Sequence, residues 1–536
     1  MNKLFKQVAP SKRHLTYFLI SVLFLSSLEI SFWGLFAVLI SVDQFEIPEP
    51  LLPLFNDFSP AALLIIVVIL RFIFQTFHSW FIHFSAFAFL TRLRDFLVKN
   101  TIEAGYSNFE VIGKAKLTTN IVTNTGIFVD AVYLNYMKII ADLASLIIVT
   151  GAIVYFSGTE ALIIVACLII LAVLGVFFLK NFLLEWSSSI TSSVNELNKL
   201  TDYLLYSLKE IKVNKLGSIV GNQQHLVHKD ISVTQTKIRF TQLFPRYAVE
   251  AIFFGTVALV VMFSENQTED AQLAIMSSLA FYVLAGMRSL PLVNQLMICV
   301  NGVRAGQGAE NQLTEDIDEL TSFSLASKRS VEMDISEGEL SLVVFKGVSF
   351  SYANKDVITS LSCDLRRGDV VLFSGPSGSG KSTAVDLLLG IRAPINGTIG
   401  KRKNLSVFYV SQHPFFPSCS ISEYFKRVCP EITWEEIQPY LTELKLFELA
   451  NNSDYYLGEA ASNLSGGQRQ LINLIVSVLL QPDIAVFDET TSGLDSQSED
   501  AFFEIVRSKL NNSLVVIVSH RSKTRMFSDQ TLHFPT

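Results

Sequence analysis

Eight consecutive residues, Gly375-Pro376-Ser377-Gly378-Ser379-Gly380-Lys381-Ser382, carry the plainest chemistry in this chain. Glycines let backbone N–H groups close on an anion, while the lysine supplies a positive charge and the last serine a hydroxyl. The apolar run 370–374 before them reads as a buried strand, and Thr383–Leu389 after them as a helix with Thr383 at its opening. Strand, glycine-rich loop and helix N-terminus in that order make a phosphate cradle, with the helix dipole adding to its pull. Lys381 is placed to reach the β- and γ-phosphates of a nucleotide, and Ser382 to ligate Mg²⁺. Alone, the loop marks a nucleoside triphosphatase and nothing narrower.

A second centre is Ile484-Ala485-Val486-Phe487-Asp488-Glu489. Four apolar residues make a central parallel strand, and the carboxylates fall at its C-terminal end, where such sheets bind ligands. Asp488 is expected to hold Mg²⁺ or its water shell, and Glu489 to orient and deprotonate the attacking water. The plain alternative is a solvated acidic pair at a strand end. A third motif, Leu464-Ser465-Gly466-Gly467-Gln468, begins twenty residues before that strand and opens an apolar helix. A serine and two glycines at a helix start make a second anion-binding surface.

With this pentapeptide the chain resembles the ATP-binding cassette (ABC) superfamily, whose signature it is. The resemblance implies further roles, residue by residue. Tyr352 stands where the family stacks an aromatic ring on adenine. Gln412, in Val410-Ser411-Gln412-His413-Pro414, fits the glutamine that senses Mg²⁺ and the membrane domain. Ser492-Gly493-Leu494-Asp495 fits the loop that crosses between subunits, and His520 the histidine on the γ-phosphate. Gly458-Glu459 resembles the segment exporters set against the other subunit's membrane helices. The family clasps each ATP between the P-loop of one chain and the signature of another, so a dimer is implied, and two intact half-sites favour a homodimer over a heterodimer with one degenerate site. The sequence departs from the pattern in a short 400–406 segment and in Arg469-Gln470-Leu471-Ile472-Asn473, which lacks the usual second arginine. It also ends soon after His520, so no regulatory tail is expected.

The elements that must carry these motifs fall in two regions. Half of the 536 residues are hydrophobic, which is unusual for a soluble protein, and the formal charge of −7 gives no basic patch for nucleic acid. The five cysteines lie in apolar segments (Cys167, Cys299) or the polar C-terminal part (Cys363, Cys419, Cys429) and read as reduced thiols. Residues 15–42, 61–90, 133–157, 159–181, 247–264 and 271–300 each approach or exceed the ~20 apolar residues of a membrane span. The first is too long for a signal peptide. Loop 43–60 holds Asp43, Glu46, Glu49 and Asp57 with no Lys or Arg, whereas Lys3, Lys12, Arg92, Lys99, Lys199 and Lys212 collect on the other side. Both termini are therefore expected in the cytoplasm. The connections 91–132 and 182–246 read as helical extensions of the spans, their tips near 106–116 and 210–221 touching the ATPase. The expected fold is an α-helical membrane domain over 1–320, a linker at 321–338, and an α/β P-loop ATPase domain with a helical subdomain over 339–536. Six spans ahead of one such domain resemble an ABC exporter half-transporter.

Cargo is less legible. Phe244-Pro245-Arg246 with Glu250, Arg288-Ser289-Leu290-Pro291, Glu29 and Arg71 make the membrane half similar to bacterial flippases for lipid-linked oligosaccharides. That similarity implies the bacterial inner membrane. Glu29, Arg71, His78, His83, Asp142, Glu250 and Arg288 are ionisable groups within spans, which default to functional roles. Arg71 and Arg288 are expected to face a central chamber and grip an anionic head group, with Glu29 beside them; interhelical pairing, such as Glu250 with Arg246, is the alternative. Export of a peptide or small amphiphile, or a regulatory gating role, also stays open. About fourteen residues precede the first span, so no leader-cleaving peptidase domain is expected.

Overall fold

Apolar residues crowd residues 12–324 without period-two alternation, and the backbone there is helical. The computed structural model describes residues 12–40, 59–104, 106, 109, 112–157, 161–264, 269–324, 332–334, 341–352, 355–458 and 461–535. It divides into two compact units that meet in sequence at Ser322 and Phe323.

The first unit holds α1 (Lys12–Ile40), α2 (Pro60–Glu103), α3 (Lys114 to Ser157, continuous through two π-helical turns), α4 (Ala161–Tyr206), α5 (Leu208–Val213), α6 (Gly217–Ser264), α7 (Glu269–Ala305) and α8 (Gln307–Ser324). The start of α2 shows why a helix begins where it does. Ser59 Oγ accepts from Ala62 N at 3.3 Å, and Pro60 sits at the first turn, where its missing N–H costs nothing. At 44 residues α2 is about 66 Å long, twice the hydrocarbon thickness. None of its most apolar window is buried, and Ile65, Phe72, Ile73, Phe77 and Trp80 are exposed. An apolar surface of that size suits lipid.

Four helices among the described residues are long and apolar enough to cross a membrane, over Arg13–Phe32, Pro60–Glu103, Lys114–Gly151 and Val173–Tyr206, against six expected. The expected fifth and sixth spans are helical in α6 and α7, but the side chains of 263–282 lie outside the described residues. So do loop 43–58, Lys3 and Glu459.

Polar groups tie the lower helices together. Asp316 on α8, 1% exposed, accepts from Lys116 Nζ and Asn120 Nδ2, both at 2.5 Å, and Asn124 Nδ2 donates to Asn120 Oδ1 at 2.7 Å. Asn120 and Asn124 lie in the first π turn, which brings them onto one face.

The second unit has two sheets. The first runs β1 (Glu332–Asp334), β5 (Asn396–Lys401), β2 (Ser341–Tyr352), β3 (Lys355–Arg366), with β2 antiparallel to both β5 and β3. The second is all parallel, in the order β6 (Val407–Val410), β7 (Ile484–Asp488), β8 (Leu514–Val518), β4 (Val370–Ser374), β9 (Gln530–His533). Its three central strands, β7, β8 and β4, are apolar on both faces because both are covered, as parallel sheets require. One core joins Val371, Phe373, Val486 and Val516 to Phe345 and to Leu387 of α9 (Lys381–Leu389). The other joins Phe487 and Ile517 to α10 (Ile421–Val428), α11 (Trp434–Glu443), α12 (Gly466–Leu480) and α13 (Ser496–Lys509).

Candidate active site

Strand order assembles the site. Because β6, β7, β8 and β4 are parallel neighbours, the segments that leave their C-terminal ends emerge side by side: Gln412, then Glu489, then His520, then the P-loop. Glu489 is the meeting point. Its Oε2 accepts from Gln412 Nε2 at 3.0 Å, and its Oε1 lies 3.7 Å from His520 Nε2. Its backbone is in the left-handed region at φ +51, which costs a non-glycine residue about 1–3 kcal/mol. A hydrogen bond from Glu489 N to Val518 O, 3.0 Å, holds it there. Strain kept at such a point belongs to function more often than to packing.

The P-loop needs its glycines. A Cβ on Gly375 would sit 2.4 Å from Phe534 O, and one on Gly380, at φ +95, would sit 2.8 Å from Val357 Cγ1. Lys381 is buried and donates to Gly375 O at 2.9 Å and Pro376 O at 2.7 Å. Burial lowers its pKa, against the upward pull of Glu489 and Asp488. Ser379 Oγ is buried with no hydrogen-bond partner among the described residues. Pro376, Ser377, Gly378 and the exposed Ser382 complete the loop, and Thr383 Oγ1 lies 3.3 Å from Tyr352 Oη. One face of the Tyr352 ring is taken by the Arg392 guanidinium, 4.9 Å from its centroid, and Arg392 Nε is fixed by Asp386 at 2.9 Å.

Three contacts escaped the sequence reading. Tyr409 Oη donates to Asp488 Oδ2 at 3.1 Å. Burial raises the Asp488 pKa, with Glu489 and Asp386 adding to the rise, while the Tyr409 bond and Lys381 oppose it. Gln470, noted only beside a missing arginine, is buried and donates to Ser411 O (3.2 Å) and Gln412 O (2.9 Å), tying the signature helix α12 to the segment that carries Gln412. Arg521 donates to Ser492 O at 2.9 Å and pairs with the buried Glu499 at 3.1 Å, so the histidine's neighbour holds the Ser492–Asp495 loop.

The signature residues are not brought to the P-loop of their own chain. Ser465 caps α12: its Oγ accepts from Gln468 N at 3.1 Å, and Gln468 Oε1 accepts from Ser465 N at 2.8 Å. Gly466 has open space above it, whereas a Cβ on Gly467 would come within 2.8 Å of Gly493 O. Ser465, Gly467, Gln468 and Asp495 line a separate cavity of about 250 Å³. Asp495 caps α13 by accepting from Ser498 N at 2.7 Å, and that bond lowers its pKa.

In the membrane unit Arg71 shows the interhelical pairing that the sequence left as the alternative. Arg71 is not an uncompensated charge: it pairs with Glu29 at 3.0 Å, largely out of solvent, and lies 5.5 Å over the Phe32 ring. A lone guanidinium in hydrocarbon is unfavourable, and two facing helices have removed that cost by pairing. Arg246 pairs with Glu250 at 2.9 Å, one turn apart. The Arg288 side chain lies outside the described residues.

Comparison with known proteins places this geometry. The family described as ABC transporter matches residues 358–492. "ABC transporter B family member 1" of Dictyostelium discoideum is 23% identical over 88% of this chain and 53% of its own length. The chain thus spans about half of that relative. An uncharacterized ABC transporter ATP-binding protein of Haemophilus influenzae is 23% identical over 70% of this chain and 69% of its own. "Zinc import ATP-binding protein ZnuC" of Acinetobacter baylyi is 34% identical over 35% of this chain and 71% of its own. The solved structure of a bacterial Atm1-family ABC exporter with ATP bound superposes with a TM-score of 0.78 at 17% identity, covering 98% of this chain and 93% of that one. The fold is therefore that of an ABC exporter, a helical membrane domain fused to an α/β ATPase domain. With the P-loop, the acidic strand and the signature all in place on that fold, the chain belongs to the ABC transporter family.

Proposed function

We propose that two copies of this chain form an ATP-driven exporter that moves an amphiphilic cargo outward from the cytoplasm or inner leaflet of a bacterial inner membrane. The observation that carries the reading is the Gln412–Glu489–His520 cluster, built beside a P-loop in a chain that also has membrane-length helices. Glu489 takes the proton of the attacking water, Gln412 fixes the carboxylate, and His520 sits beside it to meet the γ-phosphate. Phosphate oxygens replace the Gly375 and Pro376 carbonyls as partners of Lys381 and satisfy the buried Ser379 hydroxyl. The exposed Tyr352 ring stacks on adenine.

Ser382, Asp488 and Gln412 are a fitting set for Mg²⁺. All three offer hard oxygens, and Gln412 spends its nitrogen on Glu489, which leaves its carbonyl oxygen for the ion or its water. The ion supplies charge neutralisation to the β- and γ-phosphates.

The self-capped signature supports pairing. Ser465 and Gln468 serve their own helix and form no hydrogen bond with the P-loop among the described residues, so the helix start is free to meet the nucleotide of a second copy. The test is ATP turnover of purified full-length protein against its concentration, with chains carrying Lys381→Ala and Ser465→Arg mixed. Shared sites predict turnover that appears only on association and partial rescue in the mixture. An active monomer in sedimentation would overturn the reading.

The expectation of a lipid-linked saccharide leaned on Arg71 and Arg288 as anion grips. Pairing of Arg71 with Glu29 weakens that support, and cargo class must be sought elsewhere in the membrane unit.

A further inference from the structure

Helices α1, α2, α3 and α7 of the first unit line an open, part-polar cavity of about 470 Å³, the size class of small-molecule sites. Glu29 and Arg71 line it, with His78, Lys138, Asp142 and Gln295. We propose that this cavity binds a zwitterionic group, one carrying an ammonium and a carboxylate or phosphate a few ångströms apart. Its use as cargo rests on the exporter reading; the binding chemistry does not.

The charges select this class. Glu29 and Arg71 cancel in their 3.0 Å ion pair. That leaves Lys138 and Asp142, one positive and one negative, both lining the cavity. They stand four apart on α3, so they share a face about 5–6 Å from each other. An internal pair was within reach, yet no ion pair joins them among the described residues, and Asp142 Oδ2 is buried without a hydrogen-bond partner. A second unsatisfied atom belongs to another residue that lines the same cavity. His78, 8% exposed, uses Nδ1 with Ser21 Oγ at 2.8 Å, and its Nε2 is buried with no partner. Unmet polar atoms in hydrocarbon are unfavourable, and a ligand that meets them gains what they lack.

A plain anion would find Lys138 but also the Asp142 carboxylate. A plain cation would meet the reverse. A zwitterion sets its anionic end on Lys138, its ammonium on Asp142, and one further polar atom on His78 Nε2. Two sources offer such a group: a soluble amino-acid or peptide zwitterion, and the head group of phosphatidylethanolamine.

The test uses full-length protein in nanodiscs without nucleotide. The probes are the dipeptide Leu-Leu, its N-acetyl form (anionic) and its amide (cationic), followed by calorimetry. In parallel, discs of mixed phosphatidylethanolamine and phosphatidylglycerol are read by native mass spectrometry. A soluble occupant predicts Leu-Leu binding at least tenfold tighter than either capped form; a lipid occupant predicts tenfold retention of phosphatidylethanolamine over phosphatidylglycerol. Lys138→Gln should shift preference to the amide, and Asp142→Asn to the acetylated form. Should a single variant misfold, the exchange Lys138→Asp with Asp142→Lys keeps both charges and should keep zwitterion selectivity. Equal binding of all three peptides with no lipid retained would overturn the proposal. So would a wild-type preference for the anionic probe or lipid. Selective binding without ATP-driven uptake into sealed vesicles would instead sink the exporter reading and leave the site standing.

Discussion

Glu489 in the ATPase unit and Asp142 in the membrane unit are both carboxylates set among polar and charged side chains, and their hydrogen bonding is opposite. Glu489 is held by Gln412 on one oxygen and faced by His520 on the other. Asp142 leaves Oδ2 buried and unmet. The first site works on one ligand, ATP, and profits from groups fixed before it arrives. The second must take a ligand in and let it go, and open hydrogen-bonding positions give that ligand something to complete. A preorganised site and an unsatisfied one thus sit in the same chain, and substitutions should separate them.

The largest effect is expected at the most constrained residue. Glu489→Gln keeps the size and the hydrogen-bonding shape but removes the base, so ATP hydrolysis should fall about 10²–10⁴-fold. ATP binding, read by a fluorescent analogue, should change little. Near-normal turnover would make the ATPase cluster as replaceable as any surface pair, and the comparison would collapse.

The next effect tests whether charges in the membrane unit are scaffold or grip. Glu29→Gln leaves Arg71 without its partner and should lower stability by about 3–5 kcal/mol, the usual result of stranding a buried charge. Replacing both residues by Met removes the stranded charge and should recover most of that loss. Thermal unfolding in detergent reads both. A double variant as damaged as the single one would show that the pair serves the cavity and not only the helix contact.

A smaller effect is expected at Gln470. Its Nε2 is the bridge between α12 and the Ser411 and Gln412 carbonyls. Gln470→Ala should leave buried acceptors unmet at about 1–3 kcal/mol, and a looser Gln412 should cut turnover roughly tenfold while ATP affinity holds. Gln470→Glu, which cannot donate when ionised, should do the same.

What could be read in advance follows from distance along the chain. The P-loop, the acidic strand and the signature are contiguous, and each fixes its own local geometry, so Lys381, Asp488, Glu489 and Ser465 were visible as residue types at set spacings. Contacts made by neighbouring strands were not. Tyr409 and Asp488 meet because β6 pairs with β7, and 79 residues separate them. A tyrosine three residues before Gln412 was the available signal, and nothing local says what its hydroxyl touches. The same holds in the membrane unit. Glu29 and Arg71 were legible as costly charges, but their pairing depends on how α1 packs on α2, which hydropathy does not encode. The π turns of α3, which align Asn120 and Asn124, leave no mark in the apolar pattern.

Tyr409 gives the finest test of how far the ATPase unit is preorganised. Its hydroxyl donates to Asp488 Oδ2, and that bond opposes the rise that burial imposes on the carboxyl. A carboxylate has about four lone-pair positions, so the bond holds Asp488 without using up the oxygen that faces Mg²⁺. Tyr409→Phe removes the donor and little else, because Tyr409 is partly exposed and the ring can stay in place. The carboxyl should then climb further above the usual carboxylate range, binding its proton at a higher pH. Since Mg²⁺ needs the ionised form, the acid limb of Mg²⁺-dependent turnover should move to higher pH. Half-saturating Mg²⁺ at pH 6 should rise a few-fold, the size expected when one hydrogen bond to a charged group is lost. At a pH high enough to ionise the carboxyl in either protein, the two should converge. A shift of equal size at both pH values would mean that Tyr409 only packs the strand end. An acid limb that moves alone would mark Tyr409 as the residue that keeps the partly buried Asp488 charged, the service that Asp142 in the membrane unit lacks.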